Sequence, residues 1–334
     1  MRVGILCTAH GFGHMARQLA VAEALLERGA SVDLWTAAPA AVVHDYLPGL
    51  PVISEALDVG LVQSDSLTED LDATRAVLAR RGAESAIDAL AERLRGYDVC
   101  VADVPPMGLE ACRRAGVPVL ATSNFDWAWI YGAFPTLRDW GDRFAAWQAP
   151  HPALQMRPGP DLSGFASVSE VGVVARWRPP ARPPGVAEAR KLVLVSFGGF
   201  GLHALDAALP RIPGVTWLLA EPMSPLDRPD CVFVEGVTYP ALVGAADAVF
   251  TKPGYGIYAE TERAGTKVAF VRRPGFPEAP FLEAAMEARG DVAMDAVSPV
   301  LLEQALEALW TGPPRAPAPC PGAAQIAEAA LGAT

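Results

Sequence analysis

Thr8-Ala9-His10-Gly11-Phe12-Gly13-His14-Met15-Ala16-Arg17 holds two imidazoles inside one glycine-rich turn. Glycine lets a backbone turn tightly and approach a ligand, and histidine is the side chain suited to taking or giving a proton near neutral pH. A single histidine would more often cap or pack; two in one turn after an apolar run point to acid–base chemistry. Gly11, Phe12 and Gly13 would then border the reacting group. If a helix starts here, its unpaired N–H groups also suit an anion.

A second candidate is Asp103, which follows Val99-Cys100-Val101-Ala102. It could hold an imidazole in one tautomer and stabilise its protonated form, or cap the helix after Pro105-Pro106. A third is Thr251-Lys252-Pro253-Gly254-Tyr255-Gly256-Ile257-Tyr258-Ala259-Glu260. The N–H groups of Gly254, Tyr255 and Gly256 could cradle a diphosphate beside Lys252, and Glu260 could accept from two ribose hydroxyls. Glu278, in the Arg272–Phe281 segment, could accept from sugar hydroxyls or be a solvated loop charge. The aromatic run Asn124–Tyr131, with Phe125, Trp127 and Tyr131, could floor an acceptor pocket or belong to the core.

Other chemistries lack their residues. There is no phosphate-binding G-x-x-x-x-G-K-[ST], the Gly11–Ala16 stretch is not a clean dinucleotide fingerprint, and Ser196 lies outside a G-x-S-x-G elbow. Asp70-Leu71-Asp72 falls in a polar helical run and not after a strand. Cys7, Cys100, Cys112, Cys231 and Cys320 show no metal spacing and read as reduced thiols of a cytoplasmic protein. No metal and no resident cofactor are expected.

Short β-type runs alternate with longer helical runs, the pattern of α/β layering. Strands are expected at Arg2–Cys7, Ser31–Thr36, Asp98–Ala102, Pro118–Thr122, Lys191–Ser196, Val215–Ala220, Cys231–Val234, Ala248–Thr251 and Val268–Arg272. The first helix is expected over Arg17–Arg28, with Leu19, Ala22, Leu25 and Leu26 on one face and Gly29 closing it. Arg176–Gly185 carries four prolines in ten residues and marks a boundary. The expected organisation is therefore a first domain over 1–175, a linker over 176–185, a second domain over 186–320, and a terminal helix within 321–334 returning to the first domain. Two doubly wound parallel-sheet domains facing a cleft is the simplest architecture, with ligands at the C-terminal ends of the strands.

At 334 residues, 51% apolar and 19% charged, the chain is globular rather than disordered. Its net charge of −11 argues against a nucleic-acid partner held through phosphates. No stretch approaches the ~20 apolar residues of a membrane span, which leaves peripheral membrane contact open.

HGFGHMAR followed by a helix and SVDLWT resembles the opening of the two-domain nucleotide-sugar glycosyltransferases of the GT-B fold, and GYGIYAE resembles their donor-nucleotide segment. Asp58–Thr68 (DVGLVQSDSLT), VADVPP, SNFDWAWIY, SFGGFG, KPGYG and VRRPGFPEAPFL resemble, in order over about residues 1–290, the N-terminal glycosyltransferase-like region of L-arabinokinase. The resemblance implies His10 as catalytic base with Asp103 as its partner, and His14 as a loop histidine of the same family. It also implies Glu260 at the ribose, Val237 in the segment that reads a uracil, and Gly198 and Gly199 facing the diphosphate. Two extra residues separate His10 from the Gly13-His14 pair relative to the usual AHGH, so the choice between the two histidines stays open.

The expected function is a metal-independent, inverting glycosyltransferase (hexosyl or pentosyl) that moves a sugar from a nucleotide sugar, UDP by likeness, to an acceptor hydroxyl. The acceptor could be a small molecule, a lipid or a macromolecule. Two alternatives are a nucleotide-sugar-binding module without catalysis and an enzyme resembling UDP-N-acetylglucosamine 2-epimerase.

Overall fold

The structure is a computed structural model that describes residues 1–65, 68–188, 190–197, 205–220 and 223–333. The chain divides into two compact units. One comprises Met1–Ser64, Glu69–Ala175 and Cys320–Thr334; the other comprises Asp65–Thr68 and Arg176–Pro319.

The first unit is built from β1 (Arg2–Cys7), α1 (Phe12–Glu27), β2 (Ser31–Thr36), α2 (Ala40–Tyr46) and β3 (Val52–Ser54). A two-stranded ribbon follows, β4 (Gln63–Asp65) and β5 (Thr68–Glu69). Next come α3 (Leu71–Arg81), α4 (Glu84–Leu94), β6 (Val99–Asp103), α5 (Pro106–Ala115), β7 (Val119–Ser123), α6 (Trp127–Gly132), α7 (Arg138–Gln148), β8 (Pro152–Met156) and β9 (Ser167–Val171). Its seven-stranded sheet runs β3-β2-β1-β6-β7-β8-β9, all parallel. Strands such as β1 read as continuous apolar runs because helices cover both faces of a parallel sheet. Val3, Ile5, Leu6 and Cys7 are accordingly buried.

The strand order reverses between β1 and β6, where Cys7 pairs with Asp103. Such a switch point opens a crevice beyond the strand ends. It brings the turn after β1 beside the end of β6.

Helix α1 begins at Phe12, five residues earlier than expected, because Gly11 takes φ 82° as its N-cap and the glycine-rich stretch beyond it is the first helical turn. Met15, Leu19, Ala22 and Leu25 are buried, whereas Leu26 is exposed and does not share that face. Asp70, the first acid of the Asp70-Leu71-Asp72 stretch, caps α3 by accepting from Ala73 N at 2.9 Å.

The second unit repeats the plan with β10 (Lys191–Ser196), α8 (Leu205–Ala208), β11 (Val215–Leu219), β12 (Cys231–Phe233), α9 (Tyr239–Ala245), β13 (Ala248–Thr251), α10 (Tyr255–Ala264), β14 (Lys267–Val271), α11 (Ala279–Ala288), β15 (Val292–Met294) and α12 (Pro299–Thr311). Its parallel sheet runs β12-β11-β10-β13-β14-β15 and switches between β10 and β13, where Ser196 pairs with Thr251. Alternation along β10 builds both faces. Val193 and Val195 join Trp217, Phe250 and Leu306 on one side, while Leu192 and Leu194 join Leu218, Leu242 and Val249 on the other.

The proline-rich segment packs on this second unit. Ala181 N donates to Ala241 O at 3.2 Å, and Pro180 lies against Gly244. The chain then returns to the first unit as α13 (Gly322–Leu331), which packs on α1 through buried Ile326, Ala327 and Ala330. Among the described residues, no helix is long and apolar enough to cross a membrane, and no group of His, Cys, Asp and Glu could hold a metal ion.

Candidate functional site

The β1/β6 switch point carries both predicted histidines and Asp103. Asp103 is fully buried and does not cap α5, whose N-cap is Pro105. The next residue, Val104, is held at φ 37°. Positive φ in a β-branched residue is strained, and such strain concentrates at functional sites.

The carboxylate that the sequence pairs with His10 bonds His14 in the structure. His14 Nδ1 lies 2.9 Å from Asp103 Oδ1. Arg17 grips the same carboxylate with two nitrogens, Nε at 2.6 Å and Nη2 at 2.5 Å, and Gln18 Nε2 adds a third donor at 3.2 Å. Asn124 and Ser123 accept from Arg17 at 2.6 and 2.9 Å, and Thr122 accepts from Gln18 at 3.1 Å. Burial works to raise the Asp103 carboxyl, but the Arg17 charge and then His14 outweigh it and hold it well below the usual carboxylate range.

Donor counting sets the His14 tautomer. Arg17 Nη2 has two hydrogens, and Asp103 Oδ1 and Ser123 Oγ accept both. It therefore has none for His14 Nδ1, although that atom is 2.7 Å away. Nδ1 must carry its own hydrogen and donate to Asp103, which leaves Nε2 as an acceptor. A proton added to His14 would create a second cation beside a guanidinium that already balances Asp103.

His10 has a different neighbourhood. It is half-buried, its backbone N donates to Thr8 Oγ1 at 3.1 Å, and its ring stands edge-on to Trp127 with centroids 5.0 Å apart. Gly60, at φ 62°, lies against the ring, since a Cβ there would be 2.5 Å from His10 Nδ1. Thr8 Oγ1 in turn donates to Asp58 Oδ1 at 2.9 Å.

The aromatic residues expected to line an acceptor pocket do something else. Phe125, Trp127 and Tyr131 are at most 2% exposed, so no ligand reaches their faces. His14 stands edge-on to Phe125 (5.4 Å), and Phe125 to Trp127 (5.3 Å), and Tyr131 continues the stack to Phe144 at 5.3 Å. Their place is fixed by Asp126, which caps α6 by accepting from Trp129 N at 2.8 Å. These rings support the two imidazoles from behind. Gly11, Phe12 and Gly13 keep exposed or partly exposed positions.

In the second unit, α10 starts at the β10/β13 switch point. Gly254 is its N-cap, with no side-chain cap and no acidic residue in the first turn, so the N–H groups of the first turn and the positive end of the helix face whatever lies beyond. Lys252 is partly buried and Tyr255 buried. Glu260 is buried and accepts from Arg176 Nε at 2.7 Å. Burial raises its carboxyl, and Arg176 opposes the rise. Tyr239 shares a hydrogen bond with Ser196, and burial followed by the Glu260 charge pushes its hydroxyl well above the ordinary value. Val237 is partly buried against the core beside Tyr239. Glu278 is buried at the start of α11. Gly198 and Gly199 lie outside the described residues.

Sequence reasoning missed Arg17, Gln18, Asp58 and Arg176. The first two had a signal: with His14 they sit at i, i+3 and i+4, one helix face pointing at a strand end.

No protein-family model matches the chain. An Arabidopsis thaliana L-arabinokinase is 29% identical over 306 residues, 84% of this chain and 29% of that protein, so the chain spans less than a third of this curated relative. Among solved structures, the glycotransferase of kitacinnamycin superposes with a TM-score of 0.64 at 17% identity, covering 98% of this chain and 93% of that one. Arabidopsis thaliana UGT89C1 complexed with UDP gives 0.60 at 14% identity, covering 99% and 94%. The glycosyltransferase SnogD from Streptomyces nogalater gives 0.60 at 15%, covering 99% of each. The chain has the two-sheet GT-B fold of these glycosyltransferases, and in sequence it is similar along most of its length to an L-arabinokinase.

Proposed function

We propose that the chain is a metal-independent, inverting glycosyltransferase that moves a sugar from a nucleoside diphosphate sugar, with uridine as the base, to an acceptor hydroxyl. One observation carries the reading: each sheet ends, at its switch point, in groups suited to one half of that reaction. The first offers two imidazoles; the second offers an uncapped helix start with Lys252 and a buried Glu260. The uridine assignment draws on the neighbour complexed with UDP.

In this reading the N–H groups of Gly254, Tyr255 and Gly256, with Lys252, hold the diphosphate and stabilise its growing charge as it departs. Glu260 accepts from the ribose hydroxyls; a carboxylate has about four acceptor positions, so the Arg176 bond does not exclude this. The backbone around Val237 reads the uracil, and Glu278 accepts from the sugar. His10 takes the proton of the acceptor hydroxyl as its oxygen bonds the anomeric carbon. The bond from that carbon to the diphosphate oxygen breaks, and the electron pair leaves with the nucleoside diphosphate. His10 is favoured over His14 because a protonated His14 would face Arg17 across 2.7 Å.

A nucleotide-sugar-binding module without transfer is the second reading. It is favoured by Arg17, which leaves Asp103 no uncompensated charge for a dyad.

The test has two arms. UDP at a hundred times its dissociation constant should stabilise the protein by about 2.7 kcal/mol in a thermal-shift measurement; no response to UDP overturns the donor assignment. His10→Ala should lower sugar transfer by roughly 10²–10⁴-fold with UDP affinity retained, and His14→Ala by less. UDP binding without transfer to any acceptor pool selects the module reading.

A further inference from the structure

We propose that Asp58 is the positioning carboxylate for His10, the place that sequence similarity gives to Asp103. The inference rests on His10 being the base, and it assigns a role to a residue outside the sequence-predicted set.

Four observations converge on it. Asp103 is fully occupied: His14 and Arg17 bond its Oδ1, and Arg17 and Gln18 bond its Oδ2. Asp58 reaches His10 through one shared atom, because Thr8 Oγ1 donates to Asp58 Oδ1 and accepts from the His10 backbone N. The hydroxyl has one hydrogen, so the acid fixes which way it points and keeps its lone pair toward His10. The segment that carries Asp58 also seats the imidazole, with Gly60 in van der Waals contact with the ring and Tyr131 donating to Gly60 O.

The last observation concerns the other oxygen. Asp58 is 6% exposed, and Oδ2 has no hydrogen-bond partner among the described residues. A buried, unpartnered carboxylate oxygen is costly and uncommon. Trp127 Nε1 is likewise buried outside hydrogen-bonding geometry, although it is near enough to oppose, with Thr8, the rise that burial imposes on the Asp58 carboxyl. Trp127 is also the ring on which His10 stands. Trp127 and Gly60 therefore hold the imidazole, Thr8 holds its backbone, and Asp58 stands behind Thr8 with one carboxylate oxygen unpartnered among the described residues. Burial pushes the Asp58 carboxyl up to about 7, into the range where an imidazole titrates, and its ionised form stabilises a positive charge on His10 as the acceptor proton arrives. The other charged or titratable groups interacting with Asp58 are Asp103, Arg81, Tyr131 and Cys7.

The experiment follows the imidazole directly by NMR titration of the histidine ring signals, with His10→Gln used to assign His10 among the five histidines. Asp58→Asn keeps the acceptor for Thr8 and removes the charge. It should lower the His10 midpoint by roughly one pH unit, while Asp103→Asn should move His14 and leave His10 in place. The reverse pattern, or a His10 midpoint unmoved by Asp58→Asn, overturns the assignment.

If Asp58→Asn does not fold, Thr8→Val cuts the bridge and keeps the carboxylate. The His10–Trp127 ring contact, read as a nuclear Overhauser effect, should then weaken, and an unchanged contact also overturns the proposal. These measurements use the protein without nucleotide or acceptor. Absence of sugar transfer would defeat the glycosyltransferase reading alone, and an unmoved His10 would defeat only the role of Asp58.

Discussion

Asp58 weighs against the fold that holds it. Burial, with the Asp103 charge adding to it, pushes its carboxyl up to about 7 from an ordinary 3.8, against the pull of Thr8, Trp127 and Arg81. A carboxyl whose folded pKa lies above its unfolded value is destabilised in its ionised form. Its penalty is absent below about pH 4, grows as pH rises, and is complete above about pH 7. At one pKa unit per 1.36 kcal/mol this is on the order of 4 kcal/mol. Asp58→Asn should therefore raise the melting temperature at pH 8 and lose that advantage toward pH 4, as scanning calorimetry at both values would show. Equal melting temperatures at pH 8 would mean the carboxyl is not held as described. The sequence made His10, His14 and Asp103 legible, because histidines in a glycine turn and an acid at a strand end are local signals. Asp58 was not legible: its neighbours Leu57 and Leu61 are buried, but the segment is neither helix nor strand and shows no periodicity, and only tertiary packing brings it under Thr8.

At the scale of elements, the turn after β1 works because the loop before β4 leaves room for it. Gly60 meets two demands at once: φ 62° and a Cα against the His10 ring. Alanine there would be strained and would place its methyl 2.5–2.7 Å from Nδ1, Cγ and Cβ of His10, so the whole side chain must move. Gly60→Ala is expected to reduce transfer by at least about tenfold and leave UDP affinity unchanged; retained turnover would show that the ring position is not critical. The long apolar strands were readable because parallel strands buried on both faces are continuous runs. Strand β9 was not, since it is an exposed edge of small and polar residues, and the start of α1 was obscured because a Gly-Phe-Gly stretch reads as loop.

For the whole molecule, the sequence pattern of strand, glycine loop and helix at the head of each half corresponds to two sheets with the same switch in strand order. Helix α13 belongs with the first sheet although 300 positions separate Arg28 from its partner Glu328. Deleting residues 320–334 removes buried Ile326, Ala327 and Ala330 from α1. Ile326 alone is worth about 1.5–3 kcal/mol. The truncated protein should show a lower first melting transition and unchanged UDP binding in calorimetry. A loss of UDP binding instead would mean that the second unit depends on α13.

This placement of α13 also orders events on the ribosome. The second unit, contiguous apart from a four-residue piece, can close as soon as Pro319 has emerged. In the first unit α1 gains its cover only once α13, with Glu328 lying 300 positions beyond Arg28, has been made. Until then the nascent chain carries α1 with the face that Ile326, Ala327 and Ala330 will cover left open to water.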